Sequence, residues 1–310
     1  VSNLAMSEKL GVYSTIDTLT IKSQRTGQTI ESIRHYNRFL SSYLPVTTSK
    51  QDGIGHLSQS ALILPNYAAQ TESVVNIPSS SSTKNSFCIN LPCGLLNGGE
   101  PIPLMAEAVG GLIVEIHLAP DSNVFHSASD GDSASYTGSF YEFEDVTLVA
   151  ELMEPDAQAL QNMKQSQSGT YEYNSISSYY QTINSGNGII NFQLGLSRVL
   201  GVFANIVPAA HHFVNAIQKF ADNTRTSLNP QNFRLSDSTR FDKDFAFGGC
   251  GFGIGVAFDS ISDQGVDYRN VNFGINMALD LTSDSPQAFF VFAHAKNTLV
   301  YGSQGLQVLN

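Results

Sequence analysis

The chain has 310 residues, 42% of them hydrophobic and only 14% charged, with a formal net charge of -11. About a quarter charged is usual for a soluble domain, so Ser, Asn, Thr, Gln and Gly must cover much of this surface. The acidity excludes a phosphate-coating role, which needs Lys and Arg in number. A neutral polar surface is cheap to desolvate and suits a protein that touches many neighbours. The charge is uneven. Residues 1–40 hold Lys9, Lys22, Arg25, Arg34 and Arg38 against Glu8, Asp17 and Glu31, a net of +2 that leaves -13 for the remainder. Any affinity for anionic lipid or nucleic acid belongs at that end.

The predicted elements begin with a helix. Thr29 is placed to cap a segment in which Ile33, Tyr36, Leu40 and Tyr43 share a stripe, ending at Pro45. The run 79–86 (SSSSTKNS) has no periodicity and reads as an exposed loop. Leu112, Val114, Ile116 and Leu118 alternate with Ile113, Glu115 and His117, the period of a strand. A polar loop over 121–139 separates this strand from a second at 146–153 (VTLVAELM). Residues 154–164 read as a short helix, with Pro155 at its first position and Asp156 at its positive end.

Further strands are expected at 189–196 and 199–207, a helix at 211–221, and strands at 271–281 and 289–295. Gly251, Gly253 and Gly255 alternate with Phe252, Ile254 and Val256, which is strand spacing with one bare face for close packing. No helix is long enough, or followed regularly by a parallel-type strand, to build βαβ units. The predicted class is all-β with a few short helices, in two β units joined near 155–170.

The chemistry sought in the sequence is mostly missing from it. The glycine run 248–255 lacks the spacing of a dinucleotide fingerprint, and no serine sits in G-x-S-x-G. The seven histidines form no HExxH or other ligand pair. Cys88, Cys93 and Cys250 make an odd count without CxxC spacing, so buried free thiols are expected. Asp130 and Asp132 lack the later oxygen ligands of a calcium loop. The expectation is no catalytic residue, no metal and no cofactor. No stretch reaches the ~18–20 apolar residues that cross a bilayer, and the first residues lack the apolar core of a secretory signal. The chain as read is therefore made and used inside a cell, or in an assembly that forms there.

Three segments carry a resemblance: 101–120 (PIPLMAEAVGGLIVEIHLAP), 140–156 (FYEFEDVTLVAELMEPD), and 171–207 with its Tyr-rich strand, Ser/Gly turn and the strand opening at Ser197 and Arg198. In element order these resemble the double jelly-roll major capsid proteins of tailless icosahedral viruses, the adenovirus and tectivirus-like lineage. In size the chain is nearest the small phage members, such as that of a membrane-containing Flavobacterium phage. The resemblance implies two eight-stranded jelly-roll sandwiches side by side. It divides the chain into an N-terminal arm with a short helix (1–45), a first jelly roll ending in a helix (46–165) and a second jelly roll (166–310).

The same resemblance implies a pseudo-hexameric homotrimer that tiles an icosahedral virion shell and is made in the host cytoplasm. Its partners would be neighbouring trimers, penton or minor capsid proteins and an internal membrane, without sequence-specific nucleic-acid binding. The basic residues of 1–40 would face the interior, and Arg198 is a candidate contact across or within the ring. A carbohydrate-binding or adhesive β-sandwich is the alternative; it would ordinarily display a Trp platform, and the chain has no Trp.

Overall fold

A computed structural model describes residues 4–6, 10–47, 75–76, 86–97, 101–104, 106, 108–127, 140–158, 161, 168–183, 188–208, 254–258, 265–270, 273–277, 287–303 and 305–310. The described residues are mostly strand. In chain order they comprise β1 (Leu4–Met6), β2 (Ile16–Ser23), β3 (Thr29–Arg34), α1 (Tyr36–Thr47), β4 (Val75–Asn76), β5 (Leu112–Leu118), α2 (Asp121–Val124) and β6 (Phe125–Ser127). Then follow β7 (Gly169–Ile183), β8 (Gly188–Phe192), β9 (Val199–Pro208), β10 (Ile254–Ala257), β11 (Phe273–Met277), β12 (Gln287–Gly302) and β13 (Gly305–Leu309).

β12 is the central strand of the largest described sheet. Its sequence, QAFFVFAHAKNTLVYG, is apolar on both faces through its first half, as a strand covered on two sides must be. β7 pairs with one edge from Gln287↔Ile183 to Tyr301↔Gly169. On the other edge β9 pairs with the first half and β13 folds back on the second, both antiparallel. β10 adds beyond β9 to complete a five-stranded sheet.

Because side chains alternate across a strand, β12 feeds two cores. Ala288, Phe290 and Phe292 join Tyr171, Tyr173 and Ile176 on one face. Phe289, Val291, Ala293 and Ala295 join Phe192, Leu194, Leu196, Val199 and Val202 on the other.

The first core is closed by the N-terminal segment, which from Leu10 to Leu44 is built into it. β2 is the middle strand of a three-stranded sheet, β3-β2-β5. Leu19 and Ile21 point inward from it. α1 lays Tyr36, Phe39, Leu40 and Leu44 into the same core, the i, i+3, i+4, i+8 stripe of an amphipathic helix. Two small ladders, β4-β1-β6 and β11-β8, complete the described pairings.

Several expectations shift. The helix does not start from a Thr29 cap: TIESIR is strand β3, its β-branched residues favouring extension, and Thr29 pairs with Lys22. The break falls at His35, whose φ of 54° turns the chain, and α1 then runs past Pro45 to Thr47. Residues 146–153 form no ladder with any described strand. Cys88 is exposed, so only Cys93 of the described thiols is buried. In place of one loop, 121–127 forms α2 and β6.

The strands at 112–118, 199–207 and 289–295 appear as β5, β9 and β12, β8 covers only the first half of 189–196, and β11 covers the middle of 271–281. The helix at 211–221, the loop at 79–85, Gly251, Gly253 and, of 154–164, residues 159, 160 and 162–164 lie outside the described residues.

Candidate assembly surface

The five basic residues singled out near the N-terminus do not form one patch. Lys22 pairs with Glu115 across β2 and β5 at 2.6 Å. Arg38, 7% exposed, lies inside the subunit with its guanidinium 5.7 Å from the Phe290 ring centre. Burial pulls its pKa down to about 10 against the opposing pull of Asp17. Arg25 and Arg34 are exposed, and Lys9 lies outside the described residues. Gly255 sits on β10 opposite Phe203 of β9. Arg198 is engaged within its own chain, reaching Glu172 at 2.9 Å and the Thr298 hydroxyl at 2.5 Å, so it ties the start of β9 to β7 and β12.

One residue that figured in the sequence only as a charge joins segments distant in the chain. Glu31 of β3 is 3% exposed, and its Oε1 accepts the N–H groups of Gly94 and Ile176, each at 3.1 Å. Oε2 accepts the N–H of Leu95 at 2.8 Å. Burial pushes the Glu31 pKa up, and these backbone N–H groups together with the Ser175 hydroxyl oppose the shift. A Cβ at position 94 would overlap the Asn174 carbonyl, so only glycine brings this loop onto the outer edge of β7. The Tyr173 hydroxyl donates to the Ile30 carbonyl at 2.8 Å, and the Tyr36 hydroxyl to the Pro92 carbonyl at 3.0 Å. A strand-interior Glu in TIESIR carries no sequence signal that separates it from a solvated one.

The other exposed feature is a strip over 140–156. The Tyr141 hydroxyl donates to the Ala119 carbonyl and anchors it. Beyond that point the backbone carries no assigned helix or strand up to residue 156, with a left-handed residue at Asp145, φ 53°. Val146, Leu148, Val149, Leu152 and Met153 are 64–86% exposed. Scattered apolar residues on a surface are ordinary, whereas here five within eight positions stand exposed together.

Among the described residues no three His, Cys, Asp or Glu side chains gather as a metal site would, and no helix is long and apolar enough to cross a membrane.

Over its whole length the chain superposes on a chain of the PBCV-1 virus capsid, covering 87% of it, with a TM-score of 0.53 and 12% identity. The fold is like that of a virus capsid chain. PBCV-1 VP54, in a crystal structure fitted into a reconstruction of the virophage Sputnik, gives a TM-score of 0.51 at 11% identity, with 100% of this chain and 87% of that one covered. No family model and no curated protein matches the sequence. The two capsid chains share the described architecture at identities too low to carry more than the fold.

Proposed function

We propose that the chain is a structural subunit without catalytic activity, a major capsid protein that assembles with copies of itself into a virion shell. The observation that carries this reading is the full-length likeness in fold to the PBCV-1 capsid chain. Three further features agree with it: a low charge content, an exposed acidic and apolar strip, and a buried central strand shared by two cores.

In this reading two jelly rolls, divided between about residues 150 and 175, lie side by side as wedge-shaped bodies. Three chains about an axis set six such wedges in a near-hexagonal ring that tiles an icosahedral surface with few kinds of contact. Neighbouring trimers and penton or minor proteins are the partners, with a membrane beneath the shell as in the small phage members of the lineage. Of the basic residues of 1–40, Arg25 and Arg34 face the interior, Lys22 and Arg38 take no part because Glu115 and the core engage them, and Lys9 lies outside the described residues.

Light scattering and electron microscopy of the purified chain test the proposal. A mass of about 100 kDa, three times 33.5 kDa, or closed shells of such units is expected. A stable 33.5 kDa monomer at micromolar concentration ends the reading.

A further inference from the structure

The strip over 140–156 carries six carboxylates, Glu142, Glu144, Asp145, Glu151, Glu154 and Asp156, and no basic residue. Two copies of it cannot pair strip to strip, because like charges would lie along the whole contact. Its partner surface must be a different one, offering positive charge, aromatic or apolar area and backbone groups for an extended chain.

The outer edge of β7 has these properties. One edge of β7 is paired with β12 along its length, and among the described residues no strand pairs with the other. β3 packs along that outer edge, with Glu31 and Gly94 closing it at residues 174–176 and the Arg34 N–H reaching the Ser178 hydroxyl. Beyond this point Tyr180 is 51% exposed, and Gln181 and Thr182 are exposed as well. Arg34 borders the same stretch: its N–H donates to the Ser178 hydroxyl at 2.9 Å and its side chain is exposed. The His35 ring lies 5.5 Å from that of Tyr180.

We propose that the acidic strip of one copy adds as a strand to the outer edge of β7 at Tyr180–Thr182 of a second copy, with Arg34 flanking its carboxylates. The inference rests on the capsid reading, because the occupant is another copy of this chain. Strand addition gives the extended segment backbone partners and covers its apolar side chains at once. A contact between two unlike surfaces is heterologous, so each copy both gives a strip and receives one. Such contacts close into rings where the rotation from copy to copy closes, as a shell built from one chain requires.

Cysteine cross-linking between two variants tests it. Val149→Cys and Tyr180→Cys are made separately in a chain carrying Cys88→Ser and Cys250→Ser, then mixed, left to assemble and oxidised. A cross-linked dimer in the mixture and in neither variant alone is expected. A second pair, Leu148→Cys with Thr182→Cys, covers a register offset. Arg34→Glu should weaken association about tenfold at low salt, and less as salt rises.

Trimers or shells that form without either mixed cross-link overturn the strip contact and leave the capsid reading standing. If both cysteines placed on one chain close within a monomer, the strip is covered by its own chain and the proposal is wrong. Protein that never associates removes the capsid reading, and the strip contact with it.

Discussion

The Oε1 atom of Glu31 and the backbone N–H of Ile176 meet at 3.1 Å, and through them the N-terminal sheet is fastened to the edge of β7. The same carboxylate holds Gly94 and Leu95, so three strands or loops distant in sequence converge on one side chain. In a dry setting each of these N–H groups would otherwise be an unpaired donor.

Glu31→Ala should therefore cost about 3 kcal/mol or more, since each orphaned buried donor costs roughly 1–3 kcal/mol. Glu31→Gln keeps one acceptor oxygen and turns an NH2 toward the remaining donors, and it should fall between wild type and Glu31→Ala. Urea unfolding monitored by circular dichroism measures both. Equal stability of all three proteins would mean that the carboxylate is not the fastening between β3 and β7.

His35 gives the fold a pH dependence with a definite sign. Burial lowers its pKa below 6.5; Asp17 raises it in part, and Arg38 and Arg34 lower it further. The folded state therefore binds fewer protons than the unfolded chain near neutrality. Its contribution is fully present above about pH 6.5 and is lost as pH falls through the lowered value. His35→Asn should flatten this dependence and keep the fold, because Asn tolerates the left-handed φ of 54°. His35→Val should destabilise at every pH, because a β-branched residue is strained there. Thermal melts between pH 5 and 8 separate the three.

The two described thiols should differ widely in reactivity. Cys88 is exposed, whereas Cys93 is buried and its pKa is pushed up to about 12, by burial first and then by the charge of Glu31. The thiolate is the reactive form, so the Cys93 sulfur is both hidden and protonated. Maleimide should label Cys88 within the mixing time and Cys93 only as the chain unfolds. Peptide mapping after timed quenching reads the two sites, and prompt labelling of Cys93 in folded protein would contradict its place in the first core.

Strands with plain period-two patterns were legible in the sequence, because the pattern and the burial share one cause: β5, β9 and β12 fall where alternation or an apolar run put them. TIESIR misled, since Ile33, Tyr36, Leu40 and Tyr43 also fit a helical stripe. The left-handed turn at His35 that divides the strand from α1 has no glycine to announce it. Residues 146–153 carry the alternation of a strand without a described ladder partner, for pattern reports which face is apolar and not what covers it. Glu31 was invisible for a different reason. Its role depends on Gly94 and Ile176 arriving from 63 and 145 residues away. The charge count also mistook Arg38 for surface, since a count cannot register the Phe290 ring beneath it.

The division of side chains along β12 makes a prediction about cooperativity. Phe292 faces the first core and Phe289 the second, and both are fully buried on neighbouring stretches of one strand. Two cores that shared no strand would unfold as two units, each sensitive to its own side chains. Here one strand is a wall of both, so loosening it on either face removes the surface against which the other packs. Phe292→Ala and Phe289→Ala should each cost about 3–5 kcal/mol, the usual range for deleting a buried ring. Either variant should lower hydrogen-exchange protection in β2, which lines the first core, and in β9, which lines the second. Exchange followed by mass spectrometry across both strands decides the matter. If Phe289→Ala loosens β9 and leaves β2 protected as in wild type, the two cores are independent and β12 is only a boundary between them.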